Sequence, residues 1–120
     1  SKNKAIVNIG SIVGENPFAE LTGYASSKSA IAGFTKSLSL ELANNSNNIR
    51  VNCINPGFTK TSYFAKFKKN KKLYNWTLNK ISARRWGESS EISKLAIFLL
   101  SSKASYINGQ VINIDGGWRA

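Results

Sequence analysis

A tyrosine and a lysine in the stretch GYASSKSA, residues 23–30, have a spacing that suits proton transfer. Tyr24 and Lys28 are four positions apart, and side chains with this spacing lie side by side on one face of a helix. A nearby ammonium stabilises a phenolate, which lowers the pKa of a tyrosine and lets its hydroxyl exchange a proton at neutral pH. Because the same spacing arises by chance on many helices, the pair alone does not define a site.

A serine precedes this pair by thirteen residues. Ser11 follows the short run KAIVNIG, residues 4–10, whose β-branched residues and closing glycine predict a buried strand. A side chain just beyond the carboxyl end of a strand lies where open α/β sheets bind ligands. The hydroxyl of Ser11 can donate a hydrogen bond to a substrate oxygen there.

A long helix and a second strand follow the serine. Residues 23–43 predict the helix, because small or apolar side chains recur at helical spacing: Ala30, Ile31, Phe34, Leu38 and Leu42. The polar stretch NNSNN, residues 44–48, ends this helix as a loop. IRVNCIN, residues 49–55, predicts a second strand, which Pro56–Gly57 terminates because proline cannot continue a ladder. Cys53 lies within this strand and is interpreted as a small buried side chain.

The remainder of the chain predicts a helical insert, one more helix and a third strand. Residues 62–82 are basic and aromatic and are interpreted as one or two helices. ESSEISKLAIFLLSS, residues 88–102, predicts a helix capped by Ser89 or Ser90, with acidic residues in its first turn. GQVINIDGG, residues 109–117, predicts a strand followed by a turn.

This order of elements predicts an α/β fold with a parallel sheet. Strand–helix–strand units joined in this way form two crossovers, for which the right-handed form is expected, with helices packed on the sheet. Three strands are few for such a sheet, and an edge would be open and apolar. We therefore expect half of a larger α/β domain.

The composition narrows the possible chemistry. Hydrophobic residues make up 42% of the chain, which is typical of a packed core. The absence of histidine rules out serine–histidine and cysteine–histidine nucleophiles, and one cysteine with six carboxylates makes a metal site improbable. The single cysteine favours a reducing compartment, with cytoplasm as the default. No apolar run is long enough to predict a membrane span, and no methionine is present to start the chain.

The net charge of +11 allows two interpretations. One is attraction to nucleic acid or to an anionic substrate or partner. The other is an ordinary solvated surface in a chain rich in lysine and asparagine. Only KFKKNKKLYNW, residues 66–76, is locally dense in lysine, and no nucleic-acid motif accompanies it.

Three segments together resemble the short-chain dehydrogenase/reductase family. GSIVGENPFAELTGYASSK, residues 10–28, is similar to the family's active-site segment of serine, tyrosine and lysine. VNCINPGFTKT, residues 51–61, resembles the strand and proline–glycine turn that cradle the nicotinamide. RRWGESSEISKLAIFLLSSKASYINGQVINIDGGW, residues 84–118, resembles the C-terminal signature. The resemblance implies the C-terminal half of a Rossmann-type, doubly wound parallel sheet of about three strands with flanking helices.

The resemblance assigns roles to individual residues. Tyr24 is expected as the acid/base, Lys28 as the group that stabilises the tyrosinate and binds the nicotinamide ribose, and Ser11 as the group that orients the substrate oxygen. The expected contacts to NAD or NADP are Pro56, Gly57, Thr59 and Thr61, in addition to Tyr24 and Lys28. Threonine at position 59 departs from the family, which usually has an aliphatic residue there.

The resemblance also implies what the chain lacks. Residues 1–120 correspond to the C-terminal part of a single NAD(P)-binding domain, with residues 62–82 as its substrate-loop insert. The glycine-rich phosphate turn, the residue that selects the dinucleotide and the asparagine of the proton relay are expected upstream. The chain alone is therefore expected to be inactive.

The expected reaction is hydride transfer between nicotinamide and a secondary alcohol or ketone. A sugar-acid or polyol substrate, as in gluconate 5-dehydrogenase, is favoured, and the 3-oxoacyl-carrier-protein reductase branch, in which the lysines would meet an acidic partner, is the alternative. The expected partners are a small-molecule substrate and further copies of the chain, as a dimer or tetramer, without nucleic acid, membrane or metal. A non-catalytic fragment or basic binding module is the alternative of another class.

Overall fold

The computed structural model describes residues 3–44 and 47–120 and contains one parallel sheet. Its strands are β1 (Lys4–Ile9), β2 (Ile49–Pro56) and β3 (Val111–Ile114), in the order β1-β2-β3. The predicted strands are confirmed, and the predicted loop at residues 44–48 lies partly outside the described residues. Because the strands are parallel and β2 is central, the carboxyl ends of all three lie at one edge of the sheet.

Four helices connect and cover the strands. They are α1 (Thr22–Asn44), α2 (Phe64–Lys69), α3 (Lys71–Lys80) and α4 (Ser89–Leu100). Short 3-10 turns lie at Ile12–Gly14 and Ser102–Ala104. The predicted order of elements is confirmed, and the insert forms two helices, α2 and α3.

Helix α1 packs on the sheet through small polar side chains. Thr35 and Ser39 are buried, and the Asn8 side-chain amide donates a hydrogen bond of 3.0 Å to Thr35 Oγ1. A Cβ added at Gly109 would lie 2.8 Å from Ser39 Oγ. Helix α1 therefore lies so close to the segment before β3 that no large side chain fits between them. Phe34, interpreted from its helical spacing as a core or subunit-contact residue, is 58% exposed and does not join the core of this chain.

The apolar core lies between the sheet and α4. Ile54, Leu99 and Ala104 form its buried centre, and partly buried aliphatic residues of β1, α4 and β3 surround them. Ile54 faces α4, whereas its neighbour Cys53 lies near Thr35 of α1. Since consecutive strand residues point to opposite faces, α1 and α4 cover opposite faces of the sheet. The predicted α/β architecture is confirmed.

The start of α4 differs from the prediction of a serine cap. Glu88 is the N-cap residue, and its backbone N–H donates a hydrogen bond of 2.9 Å to Glu91 Oε1, as in a capping box. Ser89 is already inside the helix, and its Oγ donates a hydrogen bond to the Lys60 carbonyl instead. The serine hydroxyl is thus used to attach α4 to the chain that leaves β2.

In the part of the chain that the structure describes, no helix has the length and apolarity required to cross a membrane.

Candidate active site

The candidate site lies at the carboxyl edge of the sheet, where Ser11 follows β1. Ser11 is 8% exposed, and its Oγ accepts a hydrogen bond of 3.1 Å from the Val13 N–H, which caps the 3-10 turn. That bond uses a lone pair of the oxygen and leaves the hydroxyl proton available to a ligand. The Gly10 N–H donates to the Ile54 carbonyl at 2.8 Å, so the serine loop is tied to β2.

Gly14 brings the serine loop against the helix that carries the tyrosine and lysine. A Cβ added at Gly14 would lie 2.9 Å from both the Lys28 carbonyl carbon and the Ser29 nitrogen. Only a residue without a side chain allows the 3-10 turn to lie this close to the α1 backbone. The loop of Ser11 and the helical turn of Lys28 are therefore in direct contact.

Lys28 joins Tyr24 to the end of β1. Its Nζ donates a hydrogen bond of 3.2 Å to the carbonyl of Ile9, two residues before Ser11. The same Nζ lies 5.7 Å from the centroid of the Tyr24 ring. Tyr24 is 48% exposed, so its phenol is accessible to a ligand. The structure thus brings Tyr24 and Lys28 to the edge at which Ser11 lies.

The proline–glycine segment occupies the adjacent part of this edge. Pro56 ends β2, and the Gly57 N–H donates to the Ile114 carbonyl at 3.0 Å. A Cβ added at Gly57 would lie 2.7 Å from the Cβ of Asp115, so the backbone there is closely apposed to the turn after β3. The Asp115 carboxylate accepts hydrogen bonds from the backbone N–H groups of Gly117 and Arg119, which makes it a turn residue, as predicted.

The two threonines of the candidate cofactor set have different positions. Thr59 Oγ1 donates to the Gly57 carbonyl at 3.0 Å, and Thr59 pairs with Gly87 in an isolated parallel bridge. Its hydroxyl is therefore used within its own turn, which accounts for a polar residue where the family usually has an aliphatic one. Thr61 is exposed, and its carbonyl accepts from the Phe64 N–H at the start of α2. The described contacts place Thr61 with the insert and not with Ser11, Tyr24 and Lys28.

A chain of aromatic rings attaches the insert to the site. Successive ring centroids are 4.9–6.3 Å apart, within the range of favourable aromatic contacts. The rings belong to Phe18, Phe58, Phe64, Phe67, Tyr74, Trp76, Trp86 and Trp118. Phe58 follows Gly57, and Phe18 lies between Ser11 and Tyr24. The cluster therefore fixes α2 and α3 beside the candidate site.

Trp76 and Trp86 differ in their exposure. Trp86 is 3% exposed, and its indole N–H donates to Thr77 Oγ1 at 2.8 Å, so it is a packing residue. Trp76 is 42% exposed and lines an open groove of about 420 Å³ with Asn70, Lys72 and Leu73. Trp76 is thus the tryptophan that remains accessible to a ligand.

Cys53 lies beneath the site but is not part of its chemistry. Its side chain is fully buried in β2, and burial raises the pKa of its thiol. Its Sγ donates a weak hydrogen bond of 3.6 Å to Asn55 Oδ1. A thiol of raised pKa in a buried position is a poor nucleophile. The interpretation of Cys53 as a buried structural residue is confirmed.

Two positions near the site were not singled out from the sequence. Asn55 Oδ1 would be only 2.2 Å from a Cβ at Gly10, so Gly10 is required where the serine loop passes over β2. Phe18 is the ring that joins the serine loop to Trp76 and Trp118. The importance of Gly10 could have been predicted from its position directly before Ser11. Nothing in the sequence predicts the ring contacts of Phe18.

Comparison with known proteins identifies relatives across almost the whole chain. A family model described as enoyl-(acyl carrier protein) reductase matches residues 1–119. The 3-oxoacyl-[acyl-carrier-protein] reductase of Chlamydia trachomatis is 45% identical over 117 residues, covering 98% of this chain and 46% of the reductase. The 2-dehydro-3-deoxy-D-gluconate 5-dehydrogenase of Bacillus subtilis is 36% identical over 113 residues, covering 94% of this chain and 44% of that enzyme.

Solved structures show the same fold. A protein of Agrobacterium tumefaciens with bound NADP, assigned provisionally as a 2-deoxy-D-gluconate 3-dehydrogenase, superposes with a TM-score of 0.90 at 35% identity. The match covers 95% of this chain and 46% of that protein. A 4-hydroxyisoleucine dehydrogenase in complex with NADH has a TM-score of 0.88 at 35% identity, covering 98% of this chain and 47% of that one.

The fold and these neighbours define a Rossmann-type α/β protein. The chain belongs to the short-chain dehydrogenase/reductase family. It spans about half the length of the curated relatives it matches.

Proposed function

We propose that the complete protein is an NAD(P)-dependent oxidoreductase that interconverts a secondary alcohol and a ketone. Residues 1–120 would form the C-terminal part of its single domain, with residues 62–82 as the substrate-loop insert. The observation that carries the proposal is the position of Lys28 Nζ, which bonds the Ile9 carbonyl beside Ser11 and lies 5.7 Å from the Tyr24 ring. These three residue types at one edge of a parallel sheet suit proton transfer to or from a substrate oxygen.

Each of the three residues has a separate task in this proposal. Tyr24 gives its phenolic proton to the carbonyl oxygen in reduction and takes the alcohol proton in oxidation. Lys28 supplies the positive charge that favours the phenolate. Ser11 donates a hydrogen bond from its hydroxyl to the substrate oxygen, where negative charge develops in the transition state. The Val13 N–H, by bonding Ser11 Oγ, holds that oxygen in place.

The described residues fit a nicotinamide dinucleotide at this edge. The ammonium group of Lys28 has three N–H donors. Among the described residues, it donates one hydrogen bond, to the Ile9 carbonyl, so two donors remain for the ribose hydroxyls. Pro56 and Gly57 lie at the carboxyl end of β2, at the same edge of the sheet as Ser11. Bound there, the nicotinamide supplies or accepts the hydride. Relatives hold NADP in one case and NADH in another, and we propose that this protein uses either NAD or NADP.

For the substrate we propose a 3-oxoacyl group on a carrier protein. The supporting observation is that the 3-oxoacyl-[acyl-carrier-protein] reductase is 45% identical to the chain, whereas the gluconate-type relative is 36% identical. The 3-oxoacyl-carrier-protein substrate is therefore preferred to the sugar acid or polyol that the sequence alone favoured. The sugar acid stays as the second candidate, because a structural neighbour at a TM-score of 0.90 is assigned provisionally to 2-deoxy-D-gluconate.

The test is carbonyl reduction by the complete protein with Tyr24→Phe as the variant. Loss of the phenolic proton donor should lower kcat by about a thousandfold, while binding of the dinucleotide persists. Tyr106→Phe is the matched control, since Tyr106 is fully exposed between α4 and β3, and it should behave as the wild type.

Two results would contradict the proposal. Unchanged turnover in Tyr24→Phe would remove the tyrosine from the mechanism. Failure of the complete protein to bind either dinucleotide would favour the non-catalytic basic module instead. A 3-oxoacyl thioester and a keto-gluconate offered in parallel distinguish the two substrate candidates.

A further inference from the structure

The insert carries a concentration of positive charge that is unique in the sequence. Five of its seven residues from 66 to 72 are lysines, and no Asp or Glu occurs between Glu41 and Glu88. All five side chains are exposed. We call them the lysine face: Lys66, Lys68, Lys69, Lys71 and Lys72.

No ion pair among the described residues neutralises the lysine face. The three ion pairs among the described residues, Lys60–Glu88, Arg85–Glu91 and Arg119–Glu15, include none of its members. Lys71 and Lys72 occupy the first turn of α3, where a positive charge opposes the helix dipole. Like charges this close also repel one another. Lys66, Lys68 and Lys69 lie in the last turn of α2, where a positive charge suits the helix dipole, and Lys68 Nζ lies 5.7 Å from the Phe64 ring centroid. These contacts place the side chains but bring no negative charge to the cluster, so an anionic partner outside the chain would complement it.

The lysine face is attached to the candidate site by the aromatic cluster. Phe67 lies between Lys66 and Lys68, and its ring centroid is 5.8 Å from that of Phe58, the residue after Gly57. The groove of about 420 Å³ joins Lys72 to Trp76. The Trp76 ring contacts Phe18 at 6.3 Å, in the segment between Ser11 and Tyr24. A molecule bound on the lysine face would thus lie next to the aromatic cluster that borders the candidate site.

We propose that the lysine face docks an acidic surface of the protein that carries the acyl substrate. The inference rests on the proposed function, in which the substrate is borne by a protein that must approach the site. A cationic surface without anionic neighbours is complementary to an acidic protein, and such complementarity increases the rate of encounter and fixes orientation. Nucleic acid is the less suitable partner, because no nucleic-acid motif accompanies the lysines.

The experiment compares one 3-oxoacyl group on two carriers in the complete protein. The first substrate is the acyl-carrier-protein thioester, and the second is the N-acetylcysteamine thioester, which has no protein surface. The test variant replaces Lys66, Lys69 and Lys71, which do not line the groove, by glutamine. A charge-preserving variant replaces the same residues by arginine, and a matched control replaces the remote exposed Lys36, Lys94 and Lys103 by glutamine.

We expect the glutamine variant to raise KM for the carrier-protein substrate by about tenfold, because each exposed charge pair contributes only a few-fold to affinity. Its kcat and its KM for the small thioester should stay at the wild-type values. The arginine variant and the remote control should match the wild type with both substrates. Added salt should raise KM for the carrier-protein substrate of the wild type and have little effect on that of the glutamine variant.

Each other result overturns the inference in a recognisable way. An unchanged KM for the carrier-protein substrate would exclude docking on the lysine face while leaving the proposed reaction intact. Equal losses with both thioesters would assign the lysines to folding or catalysis. Tight, salt-sensitive binding of DNA or RNA that the glutamine variant loses, with unchanged kinetics, would identify nucleic acid as the partner. No reduction of either thioester by the wild type would refute the proposed substrate and the docking inference together.

Discussion

At the scale of single residues, the candidate site depends on contacts that small side chains permit. Ser11 Oγ accepts a hydrogen bond from the Val13 N–H, so this contact does not use the hydroxyl proton of the serine. Lys28 is held by the Ile9 carbonyl, and none of the ion pairs between described residues neutralises its positive charge. Gly10 and Gly14 allow the loop of Ser11 to lie against β2 and α1. The reactive side chains are thus oriented by neighbours that have no chemistry of their own.

The first prediction concerns Gly14→Ala. The added methyl group would lie 2.9 Å from backbone atoms of Lys28 and Ser29, which cannot turn away as a side chain would. We expect the variant to lose about 1–3 kcal/mol of unfolding free energy, as overpacked positions do. In the complete protein it should also lower kcat, because the loop of Ser11 is displaced from the helix of Lys28.

Gly33→Ala is the control for this prediction. Nothing described lies within 4 Å of a Cβ at Gly33, which is inside the same helix. Alanine there should raise the unfolding free energy by about 0.5–1 kcal/mol through helix propensity. Chemical denaturation of both variants measures the difference. If Gly14→Ala is as stable and active as the wild type, the close approach does not position the site.

At the scale of elements, the sequence predicted the strands and helices well and their facing side chains less well. β-branched runs ending in glycine or proline identified β1 and β2, and helical spacing identified α1. The spacing of apolar residues predicts which face of a helix is apolar, but it does not predict the distance between the helix and the sheet. Thr35 and Ser39 therefore replace Phe34 at the α1 contact. The spacing of Ser11, Tyr24 and Lys28 predicted the site, whereas the aromatic cluster depends on ring contacts between distant segments.

The cap of α4 illustrates the same limit, because Glu88 and the two serines after it can all accept a backbone hydrogen bond. Tertiary contacts decide between them. Ser89 donates to Lys60, whereas Glu91 bonds the Glu88 N–H and forms an ion pair with Arg85 at 2.7 Å. These hydrogen bonds, first from Arg85 and then from the Glu88 backbone, lower the pKa of Glu91 from its usual 4.5 to about 2.

The second prediction follows from this lowered pKa. A carboxylate with a lower pKa in the folded state stabilises the protein above its unfolded-state pKa, and the contribution is lost as the pH falls through the folded-state value. Glu91→Gln should therefore be less stable than the wild type at pH 7, with the difference shrinking below pH 4.5 and vanishing near pH 2. Thermal unfolding across this range measures it, and Glu20→Gln, an exposed glutamate outside these ion pairs, is the control. A difference between wild type and Glu91→Gln that does not change with pH would exclude the carboxylate as its source.

At the scale of the whole molecule, the two ends of the sheet have separate tasks. The carboxyl end gathers the candidate catalytic and cofactor residues. Near the amino end, the buried Arg50 donates hydrogen bonds to Asn3 Oδ1 and to the carbonyls of Ser101 and Ile107. It thereby connects the start of β1 with the end of α4 and the segment that leads into β3. The buried arginine network and the candidate site thus lie at opposite ends of the same strands.

This separation gives the last prediction, for Arg50→Met. Methionine retains the apolar bulk of the side chain but removes the three guanidinium hydrogen bonds, so the Ser101 carbonyl keeps only the Ala104 N–H and the Ile107 carbonyl keeps only the Asn52 amide as donors. Since hydrogen bonds to charged groups contribute about 1.5–3 kcal/mol, we expect the unfolding free energy to fall by about 2–3 kcal/mol. The control, Lys103→Met, removes an exposed cation from the same connection and should change the stability by less than about 0.5 kcal/mol. Turnover per folded molecule of the complete protein should be unchanged in both variants, because neither residue contacts the carboxyl edge. A loss of kcat in Arg50→Met at a temperature where the variant is fully folded would show that the two ends of the sheet are coupled.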